Sequence, residues 1–198
     1  MPAAERREAL VAAAVHEFAH GGLHGTSVQR VAERVGVAQP YVFALFGNKR
    51  ELFVAALERS FERIAAALRT AAADYREGRA RVECADVLEA MGAAYRELLA
   101  SDRDYLMLQH QAYAACDDEV VRARARHCHA EVVTLVQELS GAPSERVDDF
   151  IRHGMALNVA AAMDVEALSV DCPWVKEEIS GEPGGRGGAS APGGRGGA

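Results

Sequence analysis

The chain has 198 residues, 49% of them hydrophobic, and 22 Lys and Arg against 29 Asp and Glu give it a formal net charge of −7. That length suffices for one or two packed domains with a real core, and the acidic balance excludes a general nucleic-acid coat. The charge is unevenly spread: residues 1–57 hold six basic and five acidic side chains, so any contact with a polyanion belongs to this end.

At the start, Arg6, Arg7 and Glu8 precede a short apolar patch that Glu17 ends, so no signal-peptide core forms. Leu10, Val11, Ala14, Val15 and Phe18 recur at helical spacing and predict a first helix. A second helix is expected from Thr26, whose hydroxyl is placed to cap it, with Gln29 three residues on as the other half of a capping box. Val28, Val31, Ala32 and Val35 form its inward stripe. Gly36 supplies a residue that tolerates positive φ, and Val37 would plug the angle between two helices. A third helix follows from about Gln39, where Pro40 is accepted because first-turn amides have no partner, and Val42 and Phe46 face inward. Gly47 and Asn48 break the chain again. Asn48 is expected to cap a long helix with Glu51, leaving the Lys49 amine near free helix amides that suit a phosphate.

The stretch from Phe18 to Phe53 resembles the N-terminal domain of the TetR/AcrR family of transcriptional regulators. The resemblance is carried by Phe18, Gly25-Thr26-Ser27, Val31-Ala32, Gly36-Val37, Phe46, Lys49 and Leu52-Phe53 at fixed spacing. It implies a helix-turn-helix over about residues 27–46, in which the helix from Gln39 enters the major groove. Thr26, Ser27 and Lys49 would then touch phosphate, and Gln39, Pro40, Tyr41, Phe43 and Ala44 would face the DNA. Three positions depart from the family pattern. Ala38 stands where a capping serine is common, which forfeits roughly 1 kcal/mol of helix cap. Phe43 and Leu45 stand where tyrosines are common, and neither offers a hydroxyl to phosphate.

Beyond Lys49 the pattern is that of stacked long helices, and no β-alternating stretch stands out. Phe53, Leu57, Phe61, Ile64 and Leu68 mark one stripe of a helix from Asn48 to about Ala73, long enough to leave the DNA-reading unit and enter a second domain. A connector around Gly78 leads to a helix carrying Leu88, Met91, Tyr95 and Leu98, and a shorter one follows through Tyr105, Leu106, Leu108 and Tyr113. Cys116-Asp117-Asp118 reads as turn and cap. Val121, Ala125, Cys128, Val132, Leu135 and Leu139 then form a packing seam up to Gly141-Ala142-Pro143. From Ser144 the last long helix shows Val147, Ile151, Gly154, Asn158, Ala161 and Val165 on one side and Phe150 and Leu157 on another. One small bundle does not readily cover two such faces, so a homodimer is expected through Val121, Cys128, Leu135, Ile151, Gly154, Asn158, Ala161 and Ala162; the family resemblance implies a dimer too. The alternative is that the preceding helices cover both faces within the monomer.

Candidates for an effector cavity are Met91, Tyr95, Leu99, Met107, His110, Tyr113, Met155 and Asn158, apolar bodies with a few polar heads, although such a stripe is more often plain core. Asn158, polar inside the most apolar run, must find a partner in the core, across a dimer or on a ligand. His127-Cys128-His129 invites a metal, but residues two apart on a helix diverge, so no metal or other cofactor is expected. Gly154 to Met163 is too short to span a bilayer. Cys84, Cys116, Cys128 and Cys172 include no CxxC pair, which favours reduced thiols in a cytoplasmic protein. No nucleophile elbow, phosphate loop or zinc-protease motif is present, so an enzyme is not expected.

Cys172 to Ile179 reads as a short last helix with Trp174 folded back on the bundle. From Ser180 onward Gly, Pro, Ala and Ser dominate, and Pro-Gly-Gly-Arg-Gly-Gly-Ala occurs at Pro183 and again at Pro192, which predicts a disordered tail. The expected organisation is all-α: a DNA-binding domain over 4–64, a ligand-binding and dimerisation domain over 65–179, and the tail over 180–198. The expected function is a cytoplasmic homodimeric regulator, a repressor released from a palindromic DNA operator by a small apolar effector. The alternative is a helical ligand-sequestering protein whose helix-turn-helix is structural only.

Overall fold

The computed structural model describes residues 2–80 and 83–164. Val165, Cys172 to Ile179 with Trp174, and the Gly-rich stretch from Ser180 lie outside the described residues. Among the described residues the fold is all-α, with eight helices: α1 (Ala3–Gly25), α2 (Val28–Val35), α3 (Gln39–Phe46), α4 (Lys49–Arg76), α5 (Val87–Ser101), α6 (Arg103–Ala114), α7 (Glu119–Ser140) and α8 (Ser144–Ala162).

The helix breaks follow local chemistry. Gly36 takes φ 73° after α2, and the Val37 amide donates to the Ala32 carbonyl at 3.0 Å, closing the helix on a left-handed residue. Asn48 caps α4, its side-chain oxygen accepting from the Glu51 amide at 2.9 Å. Asp118 does the same for α7, accepting from Val120 and Val121 at 2.9 and 3.2 Å.

The start of α2 differs from expectation. Thr26 is 6% exposed, and its hydroxyl donates backward to the Glu17 carbonyl at 3.0 Å. Ser27 is therefore the residue before the helix, and Gln29 bonds Glu33 at 2.8 Å rather than closing a capping box. Thr26 thus finishes the α1 turn instead of opening α2. That turn is tight because α1 is interrupted at Gly22, which takes φ 63°; a Cβ there would stand 2.6 Å from Gln111 Oε1 of α6.

α1 and α3 pack on the first half of α4 and α2 packs on α1 and α3; Phe18 meets Phe53 edge-on with centroids 5.0 Å apart. α4 has 28 residues, a length of about 42 Å at the ordinary helical rise. Its first half buries Leu52, Phe53, Ala56 and Leu57, and its second half buries Phe61, Ile64, Leu68 and Ala72. These belong to one continuous apolar core, so α4 is a structural member of both ends of the molecule.

The α7 seam faces α4. Val121, Ala125, Cys128 and Leu135 are buried within the single chain, where Arg124 pairs with Glu58 at 3.1 Å and the His129 ring meets Phe61. Val121, Cys128 and Leu135 are therefore not available to a second copy, a correction to the expected dimer surface. The long apolar face of α4 needed a cover, and α7 supplies it.

Candidate functional site

Two regions are candidates for a functional site. The first is the exposed side of α3. Val42 and Phe46 turn inward, and the opposite face presents Pro40, Ala44 and Phe43, which is 38% exposed, with Gln39 and Tyr41 half-buried at its edges. Ala38 precedes the helix without a side-chain cap; Pro40 has no amide hydrogen and the Tyr41 amide donates to the Ala38 carbonyl at 2.9 Å, which leaves the Gln39 amide of the first turn for an external acceptor. Ser27, at the start of α2, is exposed as well.

Lys49 sits differently from expectation. Its ammonium donates to the His24 and Thr26 carbonyls at 3.0 and 3.2 Å, tying α4 to the end of α1. Two of its three N–H bonds are thereby used, leaving one for a phosphate. The buried Thr26 hydroxyl has no such freedom. Of the eight residues expected to face DNA, Ser27, Pro40, Phe43 and Ala44 lie exposed and Gln39, Tyr41 and Lys49 lie at the margin.

Sequence reasoning missed two cations here. The Arg6 guanidinium lies 5.9 Å from the Tyr41 ring centroid, and that of Arg7 lies 5.2 Å from Phe46, so α1 sets positive charge beside α3. The signal was present in the local excess of basic over acidic residues, but the pair looked only like the flank of an export signal.

The second region is a cavity walled by α4, α5, α6, α7 and α8, with about 430 Å³ of empty space, part of it open to solvent. Phe61, Ile64, Leu68, Val132, Phe150 and Ile151 make it apolar. One polar chain crosses it. Tyr95 donates its hydroxyl to Asn158 Oδ1 at 2.5 Å, and Asn158 Nδ2 donates to Gln109 Oε1 at 3.3 Å. His110 Nε2 donates to the Asn158 carbonyl at 3.1 Å. Asn158 is 4% exposed, so the partner it required is found inside the monomer. Burial pushes the Tyr95 phenol above its ordinary value, which keeps it a hydrogen-bond donor, and holds the His129 imidazole below its own.

Of the expected cavity residues, Tyr95, Met155 and Asn158 line it. Met91 is plain core, and Leu99 belongs to a separate cluster with Leu106 and Leu157. Met107 packs on the core, Tyr113 is exposed, and His110 acts through Asn158. The contribution of α4 and the Gln109 amide were missed. Of four further dimer candidates, Asn158 is buried and Ile151, Gly154 and Ala161 are half-buried. Ile151, Gly154 and Asn158 line the cavity, where Gly154 lies against the Tyr95 ring, and Ala161 packs on the Leu99 cluster. Ala162 is half-buried too, and its carbonyl accepts from Arg103 at 3.0 Å. The exposed apolar residues of α8 and its C-cap are Met155, Val159 and Met163, each about half exposed and four residues apart.

The two regions are joined by specific contacts. Arg50, at the start of α4, reaches Asp118 at the cap of α7 (3.4 Å), and Ser60 donates to the Tyr105 carbonyl of α6 at 3.3 Å. Gln111 of α6 donates to the Ala19 carbonyl of α1 at 3.4 Å, just before the Gly22 interruption.

Residues 10–56 match the family of bacterial regulatory proteins called tetR. The HTH-type transcriptional activator FasR of Mycolicibacterium smegmatis is 28% identical over 151 residues, which are 74% of this chain and 65% of that protein, so the chain spans less than two thirds of the length of this curated relative. The fatty acid degradation regulator FadR from Bacillus halodurans has a TM-score of 0.64 at 16% identity, over 88% of this chain and 91% of that one. The regulator FadR from Bacillus subtilis, solved with stearoyl-CoA, has a TM-score of 0.62 at 14% identity, over 87% and 94%. Residues 10–56, which hold the helix-turn-helix, thus match the tetR family of bacterial regulatory proteins, and the chain shares its fold over most of its length with these solved regulators.

Proposed function

We propose that the protein is a transcriptional regulator that reads duplex DNA with the exposed face of α3 and releases it when an apolar ligand fills the cavity among α4 to α8. The observation that carries this reading is α4 itself. The same helix anchors the α1 to α3 unit through Phe53 and walls the cavity through Phe61, Ile64 and Leu68. A ligand larger than the existing space must move at least one wall. Displacement of α4 reaches α3 through a packed core that has discrete arrangements rather than elastic ones. Only a ligand with unequal affinity for the two arrangements shifts DNA binding.

The ligand class most in keeping with the apolar walls is a long acyl chain, with the Tyr95, Asn158 and Gln109 chain as its polar contact. The stearoyl-CoA bound to the Bacillus subtilis relative suggests the same class. A second copy is proposed to meet the Met155, Val159 and Met163 stripe of α8, since paired reading helices about 34 Å apart suit a palindromic site. The thiols of Cys84, Cys116 and Cys128 are free, in keeping with a cytoplasmic location.

The test is a titration of stearoyl-CoA into the complex of the protein with DNA from just upstream of its own gene, read by mobility shift. Release at micromolar ligand supports the proposal. Unchanged binding with stearoyl-CoA and with free stearate rules out the acyl class. Tighter binding would make the ligand a co-activator and reverse the sign of the coupling.

A further inference from the structure

We propose that His16, His20 and Asp104 bind one divalent first-row transition-metal ion of the Zn²⁺ type, bridging α1 and α6. His16 and His20 are four residues apart and share a face of α1, where their rings lie 4.6 Å apart at 45°. Asp104 comes from the first turn of α6. His16 Nδ1 stands 2.6 Å from Asp104 Oδ2, and His20 Nδ1 stands 3.9 Å from Asp104 Oδ1. One ligand atom from each of the three residues lies within 4.8 Å of the others.

Ligands about 2.0–2.2 Å from a common ion are separated by at most roughly 4 Å, so closing the site draws the three side chains together. The side chains have room for it, being 38%, 65% and 33% exposed for His16, His20 and Asp104. The orientation of His20 is already suited to metal binding. Its Nδ1 faces the His16 carbonyl at 2.8 Å and must donate to it, which leaves the lone pair of the neutral ring on Nε2. Metal-binding histidines are held in this way, with the second ring nitrogen donating to a carbonyl. At His16 the cation replaces the proton shared with Asp104; that proton moves to Nε2 of the neutral ring, or to solvent when the ring is charged.

Two imidazoles and one carboxylate select against Mg²⁺ and Ca²⁺, which prefer all-oxygen sites, and leave a fourth position to water. The bond of His16 to Asp104 and that of His20 to the His16 carbonyl hold both rings beside the carboxylate without using every ring nitrogen. A cation here would fasten α1, which leads directly into the turn at Gly22 and Thr26, to the helix whose His110 holds Asn158.

The test is a titration of chelator-treated full-length protein with Co²⁺ near neutral pH, read by visible absorption and by calorimetry, with Zn²⁺ as competitor. The expected result is one equivalent of Co²⁺ with ligand-field bands lacking thiolate charge transfer, displaced by Zn²⁺. His20→Ala, which leaves the His16 and Asp104 pair intact, and Asp104→Asn should each weaken binding by about tenfold or more, while His127→Ala with His129→Ala should not. Absence of saturable binding, or affinity in either His20→Ala or Asp104→Asn within tenfold of the unaltered chain, overturns the site.

Discussion

The two ends of the molecule are built on different principles. The end built from α1 to the first half of α4 is apolar inside: aromatic and aliphatic side chains fill it, and its polar groups sit in turns and caps. The other end carries a hydrogen-bonded chain of Tyr95, Asn158 and Gln109 through an incompletely filled interior. The first arrangement fixes a shape. The second keeps interior polar groups whose partners a ligand can replace, at the cost of packing.

This contrast can be broken most severely at its shared helix. Phe53→Ala removes a fully buried ring from the pair with Phe18 and should cost about 3–5 kcal/mol, read by urea unfolding. Specific DNA binding should be lost with it. Asn158→Leu should cost roughly 2–3 kcal/mol, because it leaves the Tyr95 hydroxyl and the Gln109 amide without their partner. DNA binding should survive while the response to ligand changes, since the lost group faces the cavity; equal loss of both would dissolve the distinction between the ends.

Smaller effects sharpen the picture. Val159→Glu places charge on the exposed apolar stripe of α8 and should raise the concentration at which the protein self-associates in sedimentation, leaving monomer stability within about 0.5 kcal/mol. Lys49→Ala should weaken binding to all DNA sequences alike and reduce the salt slope by about one. A variant with an unchanged slope would assign Lys49 wholly to the His24 and Thr26 carbonyls.

What was legible from the sequence divides along the same line. Gly36, Asn48 and Asp118 act through neighbours a few residues away, so spacing alone locates the ends of α2, α4 and α7. The side of α8 that meets solvent was not legible. Apolar residues occupy much of its circumference, and periodicity gives their direction about the helix axis without saying which neighbour covers them. Gly154 and Asn158 therefore look like an intermolecular seam until Tyr95 and Gln109 are seen opposite. Thr26 misleads for a related reason: its hydroxyl had two acceptable destinations, and the Gly22 interruption of α1 brings Glu17 closer than the amides of α2.

The most direct test of the central claim is fluorescence anisotropy of duplex DNA from upstream of the gene, titrated with the unaltered protein and with Gln39→Ala at two salt concentrations. Specific binding should survive excess unrelated duplex, with a change of about 1–3 kcal/mol at particular base pairs in the variant. Equal affinity for related and unrelated duplex, unchanged by the substitution, would contradict it and leave a ligand-sequestering protein with a structural helix-turn-helix.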